Sequence, residues 1–154
     1  RALARLVRAL KGTNTCLLVT ADHGLVDAPR KRCVELRDVP GFMDGLAILP
    51  SGDARQVSCF VRPSRVARFR RIVREHLRAA CVCVPGEDLI RLGVFGPGRQ
   101  HRALASRLGD YVLIARDGYA FAHTPAGAKS DFNIGNHGGM STTEVLVPLY
   151  VVHC

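Results

Sequence analysis

Residues 16–24 have the sequence CLLVTADHG, an apolar run that ends abruptly in an acid, an imidazole and a glycine. Because the run does not alternate apolar with polar residues, it predicts a strand buried on both faces, as in the parallel sheet of an α/β domain. The carboxyl ends of such strands are where these sheets bind ligands. Asp22 and His23 would point to opposite faces of a regular strand, so they share a site only if the strand ends there. Gly24 permits that bend.

The residue types at the end of this strand suggest a metal site. A carboxylate oxygen beside an imidazole nitrogen suits zinc or a similar divalent ion, so Asp22 and His23 are candidate metal ligands. The same tripeptide is also expected in a simple turn in which Asp22 caps the following backbone. From these three residues alone the two interpretations are equally supported, and a second motif has to decide between them.

A second motif lies near the other end of the chain, where residues 136–149 have the sequence NHGGMSTTEVLVPL. With both motifs, the chain resembles the alkaline phosphatase superfamily, and within it the bacterial type I phosphodiesterase/nucleotide pyrophosphatase-like members. The resemblance rests on T-A-D-H-G after an apolar strand and on a late H-G-G-M-S-x-x-E followed by V-x-V-P-L. It implies that Asp22 and His23 hold one of two metal ions and that His137 holds the other.

The resemblance also implies an activity, that of a two-metal phosphohydrolase: a phosphodiesterase, nucleotide pyrophosphatase or phosphatase. Two divalent ions, zinc or alternatively manganese, would support in-line displacement on a phosphate-ester small molecule or nucleotide, through a covalent phospho-enzyme. The Thr or Ser nucleophile and the remaining ligands of the family are expected upstream of residue 1. We therefore expect this fragment to be inactive alone.

The predicted fold class is α/β, the C-terminal part of an alkaline-phosphatase-like sandwich. Residues 1–28 and 110–154 are predicted to form the metal-bearing core, and residues 29–109 a small α+β subdomain between the two motifs. The helical spacing of Leu3, Leu6, Val7 and Leu10 predicts a helix over 1–10. Because this helix is already under way at residue 1 and there is no initiator Met, we expect a longer protein to continue upstream.

Local patterns predict most of the remaining elements. An apolar stripe of Val66, Phe69, Val73 and Leu77 predicts a helix that Ser64 caps. Ser141 and Glu144 form a capping-box pattern at the start of a helical turn. The other predictions are strands over 46–49 and 56–61 around a turn at 51–53, a strand over 81–84, short helices over 87–92 and 102–108, and an Asp-Gly hairpin joining 111–115 to 119–121.

The net charge of +9 comes from 19 Arg against 3 Lys. A basic field raises the local concentration of phosphate-bearing substrates, and nucleic acid would respond to the same field. The predicted helix after Ser64 carries Arg65, Arg68, Arg71 and Arg78, either as a phosphate-binding face or as a solvated surface. The solvated surface is favoured, since no aromatic residues are interleaved with the arginines. A non-catalytic nucleic-acid-binding module and another superfamily enzyme, a phosphoglycerate mutase or a sulfatase, remain as alternatives.

The composition excludes several other classes. With 47% hydrophobic and 23% charged residues over 154 positions, the chain fits one globular unit, and no apolar run approaches the ~20 residues of a membrane span. The six cysteines have neither disulfide-scaffold nor zinc-finger spacing, so Cys81 and Cys83 are expected to be buried thiols in a reducing, cytoplasmic compartment. Lys129 and Asn133 are interpreted as exposed loop residues. The other histidines (His76, His101, His123 and His153) are given structural or surface roles.

Overall fold

The computed structural model describes residues 1–125, 127–128 and 132–154. Lys129 lies outside these residues. The described part of the chain forms five α-helices and ten short strands. In order they are α1 (Ala2–Leu10), β1 (Cys16–Thr20), β2 (Val26–Asp27), β3 (Cys33–Glu35), β4 (Ser51–Asp53), β5 (Gln56–Cys59), α2 (Val66–Ile72), β6 (Cys81–Pro85), α3 (Gly86–Arg91), α4 (Leu104–Leu108), β7 (Tyr111–Ala115), β8 (Ala120–Ala122), β9 (Gly135–Asn136), α5 (Thr142–Val145) and β10 (Leu149–His153).

The largest sheet has four antiparallel strands in the order β4-β5-β7-β6. Its central strand β7 is apolar throughout, and successive side chains of a strand point to opposite faces. Leu113 and Ala115 therefore join the cluster that also contains α2, whereas Val112 joins the cluster that contains α3 and α4. Strand β7 is thus packed on both faces.

The main core lies between this sheet and α2. Phe69 of α2 is fully buried, with its ring 5.4 Å from that of Phe42 and 5.5 Å from that of Tyr111. The predicted apolar stripe is confirmed, because Val73 and Leu77 are also buried and the helix continues as a π-helical segment, Val73–Leu77. The predicted cap is wrong: a 3₁₀ turn, Pro63–Arg65, precedes α2, and no side chain caps the helix.

Strand β1 differs from its prediction in both pairing and burial. It pairs antiparallel with β10 in a two-stranded ribbon, with Leu18 opposite Val151, and not in a parallel sheet. Leu18 is 61% exposed and Val151 is 51% exposed. The run forms the predicted strand, but one of its faces is exposed and the other only half-buried. Strand β7, by contrast, is packed on both faces.

Two predicted turns are also wrong in detail. The predicted turn at 51–53 is itself strand β4, and the chain reverses at Ala54 and Arg55. The Asp-Gly turn forms, since Asp117 has a φ of 40° and the Tyr119 amide donates to the Arg116 carbonyl over 2.9 Å. It does not close a hairpin, because β7 pairs with β5 and β6 whereas β8 runs parallel to β3.

The short helices and the helix over 1–10 agree with their predictions within a few residues. The division into 1–28, 29–109 and 110–154 stays a prediction. However, β7 and β8 follow its second boundary and pair with strands that precede it, in two different sheets, so strands paired with the middle segment continue to residue 122. Among the described residues, no helix has both the length and the apolar character needed to cross a membrane.

Candidate metal centre

The two-stranded ribbon of β2 and β9 brings the two sequence motifs together. Strand β2 follows the Asp-His-Gly motif, β9 precedes the His-Gly-Gly motif, and the two strands pair antiparallel with Val26 opposite Asn136. The residues just before β2 and just after β9 are therefore neighbours. The His23 and His137 rings stack with their centroids 3.9 Å apart and an interplanar angle of 18°. Asp22 Oδ2 lies 3.7 Å from His23 Nε2, so the three predicted ligands form one cluster.

The cluster is open to solvent on the side of the carboxylate. The Asp22 side chain is 89% exposed, and the one hydrogen bond that its carboxylate accepts in the described structure comes from the His23 amide, over 3.1 Å. His23 Nδ1 lies 2.9 Å from the Gly24 carbonyl. Because a carbonyl only accepts, Nδ1 carries the proton of the neutral ring, and the Nε2 lone pair is free. Metal-ligating histidines are oriented by the same kind of backbone hydrogen bond.

The residues present fit a divalent metal ion in chemistry but not in arrangement. One carboxylate and two imidazoles are suitable zinc ligands. Yet among the described residues no group of three or more His, Cys, Asp and Glu side chains is arranged to hold an ion. The cluster therefore resembles part of a metal centre.

Gly24 is required where the first motif meets α5. Its amide donates to the Glu144 carbonyl over 2.8 Å. A Cβ at this position would lie 1.9 Å from the Thr143 carbonyl oxygen, well inside van der Waals contact. The backbone after His23 can therefore rest on α5 only if residue 24 has no side chain. The sequence interpretation assigned this glycine to a bend, whereas the structure shows a close backbone approach as well.

Glu144 is the residue that sequence reasoning missed. The predicted capping box forms, with Glu144 at the third position of α5. Its carboxylate also accepts hydrogen bonds from Arg55 Nε over 2.7 Å and from the Gly139 amide over 2.8 Å. A Cβ on Gly139 would lie 2.7 Å from Glu144 Oε2. Gly139, the second glycine after His137, therefore lets the backbone approach the carboxylate of Glu144. The sequence had instead suggested that this glycine lets the backbone approach a metal ion or a phosphate.

The electrostatics of Glu144 are governed by these contacts. Burial would raise the pKa of its carboxyl group, but the hydrogen bonds from Arg55, Ser141 and Gly139 outweigh burial and hold the pKa at about 2, below the ordinary value of 4.5. Glu144 is 2% exposed and Arg55 is 0% exposed. The two side chains thus form a buried ion pair at neutral pH.

The remaining candidates lie outside the cluster. His76, His101 and His153 are exposed, and His123 Nε2 lies 3.3 Å from the Gly52 carbonyl. Asn133 is exposed, in agreement with its prediction. The Cys81 thiol is buried and the Cys83 thiol half-buried, and burial raises their pKa to about 12 and about 11. These cysteines are therefore protonated at neutral pH, as expected of buried free thiols.

Comparison with known proteins defines the class of this fold. Human ectonucleotide pyrophosphatase/phosphodiesterase 5 is 21% identical with a TM-score of 0.68 over 97% of this chain and 37% of its own. Phosphonoacetate hydrolase from Sinorhizobium meliloti 1021, in complex with phosphonoformate, is 21% identical with a TM-score of 0.67 over 96% of this chain and 38% of its own. The fold is therefore α/β and corresponds to part of an alkaline-phosphatase-like fold.

The sequence comparison gives the family. The family described as type I phosphodiesterase/nucleotide pyrophosphatase matches residues 1–140. The chain belongs to this family, which confirms the resemblance drawn from the two motifs. No curated protein matches the chain. A third structure, inactive murine ectonucleotide pyrophosphatase/phosphodiesterase 5 in complex with AMP, is 19% identical with a TM-score of 0.65 over 98% of this chain. This chain spans less than two fifths of the length of each of these structures.

The first prediction concerns the contact between Gly24 and α5. Gly24→Ala places a methyl group against the Thr143 carbonyl, so the loop and α5 have to move apart. We expect the free energy of unfolding to fall by about 2 kcal/mol or more in urea titrations. Gly135→Ala is the matched control, because its methyl group would find only Leu25 Cδ1, at 3.8 Å. Equal stability of the two variants would contradict the close approach.

The second prediction is a pH dependence of stability. Glu144 has a pKa of about 2 in the folded protein and an ordinary value of 4.5, so its stabilisation is complete above pH 4.5 and is lost as the pH falls towards 2. The lost contribution is about 3 kcal/mol, at about 1.4 kcal/mol per pKa unit. Glu144→Gln lacks this contribution. The difference in unfolding free energy between wild type and variant should therefore shrink by that amount between pH 5 and 2, whereas a constant difference would contradict the assignment.

Proposed function

We propose that the intact protein is a metal-dependent phosphohydrolase of the phosphodiesterase/nucleotide pyrophosphatase type. In this proposal Asp22 and His23 are ligands of one divalent ion and His137 is a ligand of a second, with zinc or manganese as the metal. The observation that carries the proposal is the stacking of the His23 and His137 rings, centroids 3.9 Å apart, from motifs at opposite ends of a chain of this family.

The described residues would each have a defined part. When bound, two divalent ions supply stabilisation of the charge that develops on the phosphoryl oxygens. Asp22 offers an exposed carboxylate to solvent and metal. The Gly24 carbonyl holds the proton of His23 on Nδ1, so that Nε2 faces outward as a lone pair. Metal binding requires this neutral form of the ring.

The nucleophile is proposed to come from the part of the family fold that this chain does not span. A Thr or Ser hydroxyl would attack phosphorus in line, the bond from phosphorus to the leaving oxygen would break, and the leaving group would take up a proton. Water would then hydrolyse the covalent phospho-enzyme, releasing phosphate or a nucleotide and restoring the hydroxyl. The Asp22, His23 and His137 cluster contributes no nucleophile of its own.

The proposed substrate is a phosphate-ester small molecule or a nucleotide. The solved relatives hold AMP, phosphonoformate or phosphonoacetate, and each of these ligands carries an anionic tetrahedral phosphorus group. The net charge of +9 would attract such anions. Membership of the phosphodiesterase/nucleotide pyrophosphatase family favours hydrolysis of such a substrate over the reactions of a phosphoglycerate mutase or a sulfatase.

The third prediction tests the ligands in the intact protein. Asp22→Ala and His137→Ala should each lower kcat/KM for a nitrophenyl phosphodiester by about 100-fold or more, because even outer-shell partners of metal ligands contribute 10–100-fold. A strong chelator should abolish wild-type activity, and added zinc or manganese should restore it.

Arg71→Ala is the control for this experiment. Arg71 is exposed on α2 and remote in sequence from both motifs, and its loss should leave kcat/KM unchanged. Equal losses in all three variants would contradict the ligand assignment. A hydrolysis rate that strong chelators leave unaffected would contradict the role of metal altogether.

One observation favours the alternative of a nucleic-acid-binding surface. Arg70, Arg74 and Arg78, one helical turn apart, surround a cavity of about 400 Å³ together with Arg116, and no carboxylate of the described residues lines it. These arginines are exposed. This set shares only Arg78 with the arginine face considered from the sequence. Arg68, which belongs to the arginine face considered from the sequence, lies 3.8 Å from the Asp44 carboxylate.

The fourth prediction decides whether this surface binds nucleic acid. If it does, the affinity for a duplex oligonucleotide should fall linearly in a plot of log K against log salt, with a slope of about −0.9 for each phosphate contacted. The triple variant Arg70→Ala, Arg74→Ala, Arg78→Ala should then have a slope smaller by about 2 to 3. No measurable binding of the wild type at low salt would exclude the alternative.

A further inference from the structure

Arg55 is a guanidinium group with no access to solvent. It lies in the turn between β4 and β5 and is 0% exposed. Its Nε and Nη2 atoms donate to the two carboxylate oxygens of Glu144 over 2.7 and 3.0 Å, a bidentate arrangement. Nη1 donates to the carbonyls of Asp117, over 2.7 Å, and Tyr119. The guanidinium is therefore fixed by partners on both of its edges.

Glu144 contacts both metal-ligand motifs. Its backbone carbonyl accepts the Gly24 amide over 2.8 Å, one residue after His23. Its carboxylate accepts the Gly139 amide over 2.8 Å, two residues after His137. Oε2 also accepts the Ser141 hydroxyl over 2.6 Å and the Ser141 amide over 3.2 Å. One residue therefore hydrogen-bonds to the loop of each stacked histidine.

The ion pair is not explained by the capping of α5. A Glu or Gln at this position reaches back to the start of its helix without help from an arginine. A buried ion pair is, moreover, weak evidence of a stabilising function, because an apolar replacement is often as stable. What a bidentate arginine adds is orientation, since its planar fork fixes the plane of the carboxylate that it binds.

We propose that Glu144, oriented by Arg55, is the positioning residue that fixes His23 and His137 relative to each other and so prepares the two motifs for metal. The inference rests on the proposed function for its metal, but the stacked geometry can be tested without metal. Arg55 and Glu144 act through the backbone at Gly24 and Gly139 and touch neither ion nor substrate.

The first readout is the imidazole signals of His23 and His137 in the metal-free protein with ¹⁵N-labelled histidine. Stacked rings shift each other's ring protons by their ring currents. Glu144→Gln places an amide NH₂ where an oxygen now accepts, and Arg55→Lys keeps the charge but loses the planar fork. Both variants should move the signals of both histidines towards unstacked values, while far-ultraviolet circular dichroism reports that the fold is retained.

The control is Glu35→Gln. Glu35 also accepts hydrogen bonds from a distant segment, at 3.2 Å from the Thr124 amide and 2.8 Å from its hydroxyl, but within the described residues it forms no hydrogen bond or ion pair with either motif. Its loss should leave the histidine signals in place. The double variant Arg55→Lys, Glu144→Gln should shift them no further than the larger single effect, because both residues act through one ion pair.

The second readout is zinc affinity, by competition with a chromophoric chelator. Arg55→Lys and Glu144→Gln should weaken zinc binding by 10–100-fold, as for other groups that orient ligands. Folded variants with wild-type histidine signals would overturn the positioning role, even if they are less stable. A different outcome is that the histidine signals shift in the two variants but the wild-type protein binds no zinc. That outcome would support the positioning role and overturn the proposed metal function.

Discussion

The contact on which the rest of this structure depends is the buried ion pair of Arg55 and Glu144. Two charges withdrawn from water lose solvation that their mutual attraction restores only when every remaining polar atom is also bonded. That condition is met, as no buried side-chain nitrogen or oxygen of the described residues lacks a partner. Leaving either partner alone would cost about 3–5 kcal/mol, so the pair holds its three attachment points, the β4–β5 turn, the 117–119 turn and α5, in one arrangement.

One strong turn signal failed because both edges of β7 are already paired, with β5 and with β6. Asp-Gly between two apolar segments normally closes a hairpin, whose strands pair with each other. Here the carbonyls of Asp117 and Tyr119 are bonded to Arg55, and the turn redirects the chain from β7 to a parallel partner, β3. Two strands on either side of a turn pair only if their backbone amides and carbonyls are not already hydrogen-bonded to other groups. A local sequence pattern does not show which other groups will bond to them.

Sequence patterns predicted the elements better than their surroundings. The stripe of α2 and the capping box of α5 depend on neighbours within a few residues, and both form. The apolar runs of β1 and β7 have similar sequences, yet β7 is packed on both faces while Leu18 of β1 is largely exposed. Burial depends on which segments pack against a strand, and those segments are distant in sequence. The Arg55–Glu144 pair spans 89 residues and is equally invisible in a local pattern.

The candidate site and the core lie in different parts of the fold, and this separation gives the ion pair its importance. Asp22, His23 and His137 are carried by short ribbons with little buried apolar area, whereas the main cluster lies between α2 and the four-stranded sheet. Loops of low contact density have little intrinsic rigidity. Ligand geometry tolerates errors of only about 0.5 Å. In the proposed arrangement this precision comes from the four-stranded sheet, and in the described structure the path runs from the β4–β5 turn through Arg55 to Glu144 and then to both histidine loops.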